Sequence, residues 1–283
     1  MGAREYLAEQ DGFFVRFWGV RGSIACPGET HRRYGGNTSC LEVRCGSRLL
    51  ILDAGTGLRP LGDSIGGEAP VDVDLLLTHT HHDHIAGLPF FSPFFNKQNR
   101  IRIWAGHLAP ARSLHNVLCQ FMSAPLFPVP PQIFSADVIY RDFTAGEPLE
   151  FGDAIHIRTG GLNHPNGATG YRIEYEGRSL CYVTDTEHVP DQPDQSILQL
   201  IEGADVVIYD SSYTDAEFPG YVSWGHSTWQ EGVRLCDAAG VGTLVLFHHD
   251  PSHDDDFMDR VAAEADRRRP GTIVAREGMT LEP

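Results

Sequence analysis

The sequence lacks long apolar runs and paired cysteines. No uninterrupted apolar run approaches ~18 residues in this 283-residue chain, so no membrane-spanning helix is expected. The first ten residues lack the apolar segment of a secretory signal. The six cysteines are scattered without a Cys-x-x-Cys pair, as is typical of reduced core thiols, at positions 26, 40, 45, 119, 181 and 236. These absences together favour a cytoplasmic protein.

Basic residues are also scarce. The chain has 22 Lys and Arg against 38 Asp and Glu, for a net charge of −16. Such a charge repels long nucleic acids at a distance unless a local basic patch compensates. The only dense basic run, Arg267–Arg269, ends a predicted helix, where cations complement the helix dipole. A long nucleic acid is therefore not an expected partner, nor is a membrane; a homodimer remains an open alternative.

Short apolar stretches alternate with glycine-rich turns along the chain. They predict ten strands, at 13–18, 40–44, 49–52, 73–77, 101–104, 154–159, 171–175, 179–183, 206–209 and 243–247. Helical patterns predict four helices, at 110–121, 194–202, 227–239 and 255–268. The third begins with Ser227-Thr-Trp-Gln230, which fits a capping box. Mixed strands and helices in both halves suggest two packed sheets covered by helices, in one domain over residues 1–283.

The most informative segment is a cluster of potential metal ligands. Residues 78–84 read Thr-His-Thr-His-His-Asp-His and directly follow an apolar run. Imidazole nitrogens and carboxylate oxygens together suit zinc and similar divalent ions. His79 and His81 are two positions apart, so in an extended chain they point to one side and can share one ion. Asp83 and His84 follow as the chain turns, and they can reach a second ion.

This cluster resembles the His-x-His-x-Asp-His signature of the metallo-β-lactamase-fold hydrolases. In that family three further ligands, a His, an Asp and a His, follow strands later in the chain. Here His164, Asp185 and His248 each follow an apolar stretch, and they occur in the same order. The resemblance therefore covers most of the chain. It implies an α/β fold in the form of a four-layer αββα sandwich.

The resemblance also implies two divalent metal ions, with zinc expected first and manganese or iron as alternatives. One ion would be bound by His79, His81 and His164, and the other by Asp83, His84 and His248, with Asp185 bridging both. Such a pair lowers the pKa of a shared water from ~15.7 towards ~7 and offsets charge in the transition state. Asp83 is also a candidate to orient or deprotonate the attacking water.

Three positions near these ligands allow two interpretations each. His249 competes with His248 for the last ligand position, and the family pattern favours the first His after the strand. His82 occupies the variable position of the signature, so it is expected to contact a ligand or face solvent. Asp53 ends an apolar stretch and either holds a ligand His by a hydrogen bond or forms a turn.

A second motif favours phosphodiester chemistry. Gly225-His226-Ser-Thr before a predicted helix resembles the His-containing helix start of ribonuclease Z and related cyclic phosphodiesterases. The resemblance implies that His226 contacts the phosphate and donates a proton to the leaving oxygen. Asp210 stands where ribonuclease Z has a Glu as the acidic partner of this His, and the shorter side chain puts that pairing in question. The structural alternative places His226 beside a helix N-terminus, where a cation opposes the helix dipole.

The chain departs from ribonuclease Z in having no Gly/Lys-rich arm for gripping transfer RNA. Together with the net charge, this favours a small phosphodiester substrate, such as a cyclic nucleotide. Arg21 and Asn37, in glycine-rich loops, are candidates to reach a phosphate or base, with turn formation as the alternative. The proline-rich segment 121–134 is either a lid near the metals or a rigid surface crossover.

Two other functions remain open from the sequence. The first motif is shared with thioesterases of the glyoxalase II type. The same ligands also suit a non-hydrolytic di-iron redox or sensing module, although the sequence has no Gly-x-Gly-x-x-Gly fingerprint for a second cofactor.

Overall fold

The structure, a computed structural model, describes residues 12–65, 70–152 and 154–283. The first of its two sheets contains seven strands in the order β14-β1-β2-β3-β4-β5-β6. Its strands β3 to β6 run parallel, and β1 pairs antiparallel with β2 and β14. The bounds are β1 Phe13–Gly19, β2 Cys40–Cys45, β3 Arg48–Leu52, β4 Asp72–Leu77, β5 Arg100–Ala105, β6 Asp137–Asp142 and β14 Thr280–Leu281.

The second sheet also contains seven strands, in the order β13-β12-β11-β10-β9-β8-β7. Strands β10 to β13 are parallel, whereas β7 to β10 are antiparallel neighbours. The bounds are β7 Leu149–Glu150, β8 Ile155–Leu162, β9 Ala168–Tyr175, β10 Arg178–Val183, β11 Val206–Asp210, β12 Thr243–Phe247 and β13 Ile273–Val274. The parallel strands β11 and β12 are almost wholly apolar because both of their faces are covered.

Six α-helices lie within the described residues. They are α1 Leu58–Ile65, α2 His82–Ile85, α3 Leu114–Phe121, α4 Gln195–Ile201, α5 Trp229–Ala238 and α6 Asp255–Arg268. Short 3-10 helices span Glu29–His31, Leu88–Phe90, Ser92–Phe95, Pro131–Ile133 and Phe218–Gly220. None of the helices in these residues has the length and apolar character needed to span a membrane.

The core consists of three apolar layers. Between the sheets, Val15 and Leu50 of the first sheet pack in one cluster with Ile173 and Ile208 of the second. Helices α1 and α3 cover the outer face of the first sheet. Helices α4, α5 and α6 cover the outer face of the second. The predicted αββα sandwich is therefore confirmed.

All ten predicted strands and all four predicted helices are present, most of them with shifted ends. Helix α1 was missed because Pro60 and Gly62 interrupt its pattern, and β6 was missed because it is largely exposed. The predicted capping box is wrong by one residue: Thr228 is the N-cap, and its side chain accepts from the Glu231 amide at 3.1 Å. The Ser227 hydroxyl instead lies 2.9 Å from Nδ1 of His188. The one-domain prediction includes residues outside the described ranges and stays a prediction.

Candidate metal centre

Histidines and aspartates from both sheets converge just beyond the carboxyl ends of their strands. Three of these residues, Asp53 after β3, Asp185 after β10 and His248 after β12, have φ near +60°. This left-handed conformation is uncommon for residues with a Cβ, and it concentrates at functional sites. At each position the extended strand ends abruptly, and the side chain turns towards the other sheet. The fold therefore gathers distant residues into one buried cluster.

One part of the cluster contains His79, His81 and His164, whose ring nitrogens lie within 4.8 Å of one another. His81 Nδ1 and His164 Nε2 are 3.0 Å apart. His164 Nδ1 donates to the Gly225 carbonyl oxygen at 2.7 Å, so its Nε2 carries the lone pair. His79 is buried, and its Nε2 has no hydrogen-bond partner within the described residues. All three rings therefore aim nitrogen atoms at a shared space.

The adjoining part of the cluster contains Asp83, His84 and His248. His84 Nε2 lies 3.3 Å from both His248 Nε2 and Asp83 Oδ2. His84 Nδ1 lies 2.8 Å from Asp53 Oδ2, which is the hydrogen bond expected for that aspartate. Asp53 therefore fixes the His84 ring with its Nε2 facing the cluster. Of the two interpretations of Asp53, the hydrogen bond to a histidine is the one present, since its carboxylate otherwise accepts from Thr78 and Tyr182 and not from a neighbouring backbone amide.

Asp185 lies between the two parts. Its Oδ2 is 3.7 Å from His79 Nε2 and 3.6 Å from His164 Nε2. Its Oδ1 is 3.2 Å from His84 Nε2 and 3.3 Å from His248 Nε2. One carboxylate thus presents one oxygen to each group of imidazoles, an arrangement suited to two neighbouring cations.

The charges of the cluster fit a bound cation. Burial opposes ionisation of Asp185, but the surrounding imidazoles outweigh it and hold the pKa of that carboxyl well below its usual range. Burial also lowers the pKa of His79 well below its usual value. Burial disfavours the imidazolium of His84, yet Asp185, Asp83 and Asp53 together raise its pKa well above the usual value. The ionised carboxylates therefore favour a positive charge at the point where the imidazole nitrogens converge. This set of nitrogen and oxygen donors suits a pair of divalent ions.

A His–Asp pair lies beside the cluster. His226 Nδ1 is 3.0 Å from Asp210 Oδ2 and 3.8 Å from Asp185 Oδ2. Burial disfavours the charged ring, but the Asp210 charge and hydrogen bond outweigh it and raise the pKa of His226 to about 9. The shorter side chain of Asp therefore reaches this histidine, although the sequence comparison with Glu put that pairing in question.

Four further positions singled out in the sequence face away from the cluster. His249 is buried, and its Nε2 lies 2.9 Å from the Ala275 carbonyl oxygen, so His248 is the member of this pair in the cluster. His82 is exposed, and its ring lies 6.0 Å from that of Phe121 in the proline-rich segment. Arg21 is fully buried and donates to three carbonyl oxygens, which favours the structural one of its two interpretations over contact with a phosphate. Asn37 Nδ2 donates to Glu277.

Three residues of the site environment were missed from the sequence. The Ser23 amide donates to Asp83 Oδ2 at 2.7 Å, and Ser212 Oγ lies 3.1 Å from His248 Nδ1. Glu187 accepts two amides of the segment that leads to His226. Each contact joins residues more than thirty positions apart, and no local motif signals it.

Comparisons with known proteins agree with this geometry. The profile of the beta-lactamase superfamily domain matches residues 48–249, more than half of the chain. The chain therefore belongs to this superfamily, and its cluster has the composition of a metal-dependent hydrolase site.

One relative by sequence and two solved structures extend the comparison. Ribonuclease Z of Mycobacterium marinum is 28% identical over 233 residues, covering 74% of this chain and 79% of that protein. The metallo-beta-lactamase fold protein YhfI of Bacillus subtilis has a TM-score of 0.69 at 22% identity, covering 96% of this chain and all of that chain. A diphosphatase of the PhnP family has a TM-score of 0.67 at 18% identity, covering 95% and 96%. The predicted resemblance to the metallo-β-lactamase hydrolases and to ribonuclease Z is confirmed.

Proposed function

We propose that this protein is a metal-dependent phosphodiesterase that acts on a small phosphodiester, with cyclic nucleotides as the first natural candidates. The observation that carries the proposal is the His226–Asp210 pair beside Asp185, with the His226 side chain 12% exposed. When protonated, a histidine that is hydrogen-bonded to a buried carboxylate next to a metal cluster can bind an anionic phosphoryl oxygen and donate a proton. A thioester, whose carbonyl is neutral, has less need of that charge.

The proposed metal ligands are the residues of the two converging groups. His79, His81 and His164 would hold one ion, Asp83, His84 and His248 the other, and Asp185 both. When bound, a pair of divalent ions, with zinc expected first, lowers the pKa of a water and polarises the phosphoryl oxygen. The protein fixes the ring orientations beforehand, through Asp53 on His84 and the Gly225 carbonyl on His164.

The proposed roles of His226, Asp210 and Asp83 in the reaction concern proton transfer. Because His226 Nδ1 is engaged with Asp210, its Nε2 is the nitrogen left for the leaving oxygen. In the proposed reaction a water oxygen bonds to phosphorus and gives its proton to the Asp83 carboxylate. The bond from phosphorus to the leaving oxygen breaks, and His226 Nε2 supplies the proton that this oxygen takes up. Asp210 stays ionised throughout and stabilises the imidazolium.

Charge and aromatic surface support a small nucleotide as the substrate. Within the described residues, no hydrogen bond or ion pair of the cluster involves Lys or Arg, and the net charge is −16. Trp224 is 62% exposed and lies two residues before His226, so its Cα is within about 7.6 Å of that of His226. An exposed indole ring so close in the chain to His226 offers a face on which a base can stack.

Transfer RNA processing is the second candidate, because the Mycobacterium marinum relative is a ribonuclease Z. A panel assay separates the candidates. Metal-loaded protein should hydrolyse bis(p-nitrophenyl) phosphate and cyclic nucleotides in Zn²⁺ or Mn²⁺. Thioester turnover far above that of every phosphodiester would refute the proposal in favour of the glyoxalase II-type alternative. Efficient 3′-trimming of precursor transfer RNA would refute the small-substrate part. Redox turnover by an iron-loaded form, without hydrolysis, would favour the di-iron module.

A further inference from the structure

A carboxylate binds the segment that leads to His226. Glu187 accepts from the Ser223 amide through Oε1 at 3.0 Å and from the Gly225 amide through Oε2 at 2.8 Å. Ser223 and Gly225 have φ of +76° and +86°, whereas Trp224 between them is not in this region. This backbone conformation directs the Ser223 and Gly225 amides to one side and forms a concave anion-binding site in the backbone. Glu187 fills that site from within the protein.

The same segment determines the orientation of a proposed ligand. The carbonyl oxygen of Gly225 accepts from His164 Nδ1 at 2.7 Å. The approach is close, because a Cβ at position 225 would lie 2.4 Å from His164 Nδ1 and 2.3 Å from Pro165 Cδ. A shift of Gly225 would therefore move the acceptor that keeps the proton on Nδ1 and the lone pair on Nε2.

The backbone of Glu187 is fixed as firmly as its side chain. Its amide donates to the Asn163 carbonyl oxygen at 2.8 Å, and Asn163 Nδ2 donates back to the Glu187 carbonyl oxygen at 2.8 Å. Glu187 follows Asp185 by two residues, Asn163 directly precedes His164, and Gly225 directly precedes His226. Three loops that carry site residues thus meet at this one glutamate.

We infer that Glu187 is a positioning residue for the metal centre, acting on His164 through Gly225 and on the alignment of His226 through the same segment. The His226 part rests on the proposed function, whereas the His164 part depends only on metal binding. Loss of the carboxylate would leave two amides of the segment without their acceptor. The segment would then relax, and the tautomer of His164 would no longer be fixed by the Gly225 carbonyl.

Glu217 provides a matched control. It also accepts a backbone amide and a hydroxyl, from Thr214 N at 2.8 Å and Thr214 Oγ1 at 2.7 Å, and it is half-buried like Glu187. Its other partner is His253, at 2.9 Å. Glu217 therefore orders the early part of the connection between β11 and α5, residues 211–228, whose later part is bound by Glu187, and none of its hydrogen bonds reaches the loops of His164 or Asp185.

The test compares Glu187→Gln, Glu187→Asp and Glu217→Gln in the full chain. Zn²⁺ affinity, measured by chelator competition, should fall ~10–100-fold in Glu187→Gln, the usual effect of losing a group that orients a ligand. Long-range ¹⁵N–¹H spectra of the metal-free protein should show a mixture of His164 tautomers in this variant, where the wild type has one. Glu187→Asp should restore part of the affinity, and Glu217→Gln should match the wild type in both measurements.

Two outcomes would overturn the inference. Wild-type Zn²⁺ affinity and an unchanged His164 tautomer in Glu187→Gln would show that the residue is only a stabilising contact, even if the melting temperature falls. Equal losses in Glu217→Gln would show general destabilisation of the connection. Neither measurement uses turnover, so failure of the phosphodiesterase proposal would appear separately, as an inactive wild-type protein whose Glu187 variants still lose metal.

Discussion

His84 Nε2 and His248 Nε2 lie 3.3 Å apart, although they come from opposite sheets and 164 positions apart in the chain. His84 Nδ1 is engaged with Asp53, so the Nε2 atoms meet with little room for two protons. Two imidazole nitrogens at this distance either share one proton in an N–H···N hydrogen bond or both direct their lone pairs at a cation. The second arrangement is the one that the proposed metal ions would require of this pair.

The first prediction concerns metal content. Protein purified without chelator should contain about two divalent ions per chain by elemental analysis, as two-metal hydrolases do. Asp185→Ala should release at least one of them, because its two oxygens face both groups of imidazoles. Asp205→Ala is the control, since Asp205 accepts from Ser179 and has no contact with the cluster. A single ion per chain, retained by Asp185→Ala, would contradict the dinuclear proposal.

The local parts of this site could be predicted from the sequence because each motif combines an apolar strand with the polar residue that ends it. His79, His164 and Asp185 follow strands that are recognisable from composition alone. The sequence does not show as clearly which of two neighbouring histidines, His248 or His249, directs its side chain into the cluster. His248 has φ of +62°, whereas the His249 amide donates to the Val20 carbonyl oxygen, and this difference depends on contacts with distant loops.

The contacts that orient the proposed metal ligands were not predictable either, because they also join distant parts of the chain. Glu187 acts through two backbone amides whose direction is determined by φ at Ser223 and Gly225. Nearly every residue has a backbone amide, so the residue types do not show which amides bind a carboxylate. Helix α1 and strand β6 were missed for a different reason: their local hydrophobic patterns do not indicate a helix or a strand. Proline and glycine weaken the helical period in α1, and the exposed faces of β6 remove the apolar signal.

The second prediction concerns His226. His226→Ala should reduce turnover of a diester with a poor leaving group by ~10²–10⁴, the usual contribution of a positioned acid. An activated p-nitrophenyl ester should lose less, because its leaving oxygen needs little protonation. Metal content should be unchanged, since the ring is held by Asp210 rather than by the two converging groups. Parallel loss of metal and activity would instead make His226 a ligand.

The third prediction concerns acid stability and Asp215. Burial raises the pKa of this carboxyl, but hydrogen bonds from Arg234 and Thr228 outweigh it and lower the pKa. A depressed pKa in the folded state means that the unfolded chain binds the proton more tightly. Asp215 therefore adds stability above its unfolded pKa of ~3.9, and this contribution is lost as the pH falls through the folded value.

Urea unfolding of the metal-free protein tests whether ionised Asp215 stabilises the fold and whether this stabilisation is lost at low pH. Asp215→Asn should lower the unfolding midpoint at pH 7, and the difference from the wild type should shrink towards pH 3. Thr228 is the N-cap of α5, so part of the loss at pH 7 reflects a weaker start of the helix that follows His226. A difference that stays constant over this pH range would show that the charge of Asp215 contributes nothing.

The fourth prediction tests whether Trp224 contacts a base. Its ring packs edge-on against Tyr221, with 5.4 Å between the ring centroids, and Tyr221 stacks on the buried Tyr213 at 4.1 Å. The indole therefore packs against the protein through Tyr221 while 62% of Trp224 stays exposed. Stacking of a base on an aromatic side chain contributes ~1–3 kcal/mol, which corresponds to about 5- to 150-fold in affinity. Trp224→Ala should raise KM for a cyclic nucleotide by a factor in this range with little change in kcat. Hydrolysis of a dialkyl phosphate diester should be unaffected, and Trp224→Phe should retain part of the nucleotide preference. Equal loss on both substrates would mean that the indole supports the loop of His226 instead of binding a base.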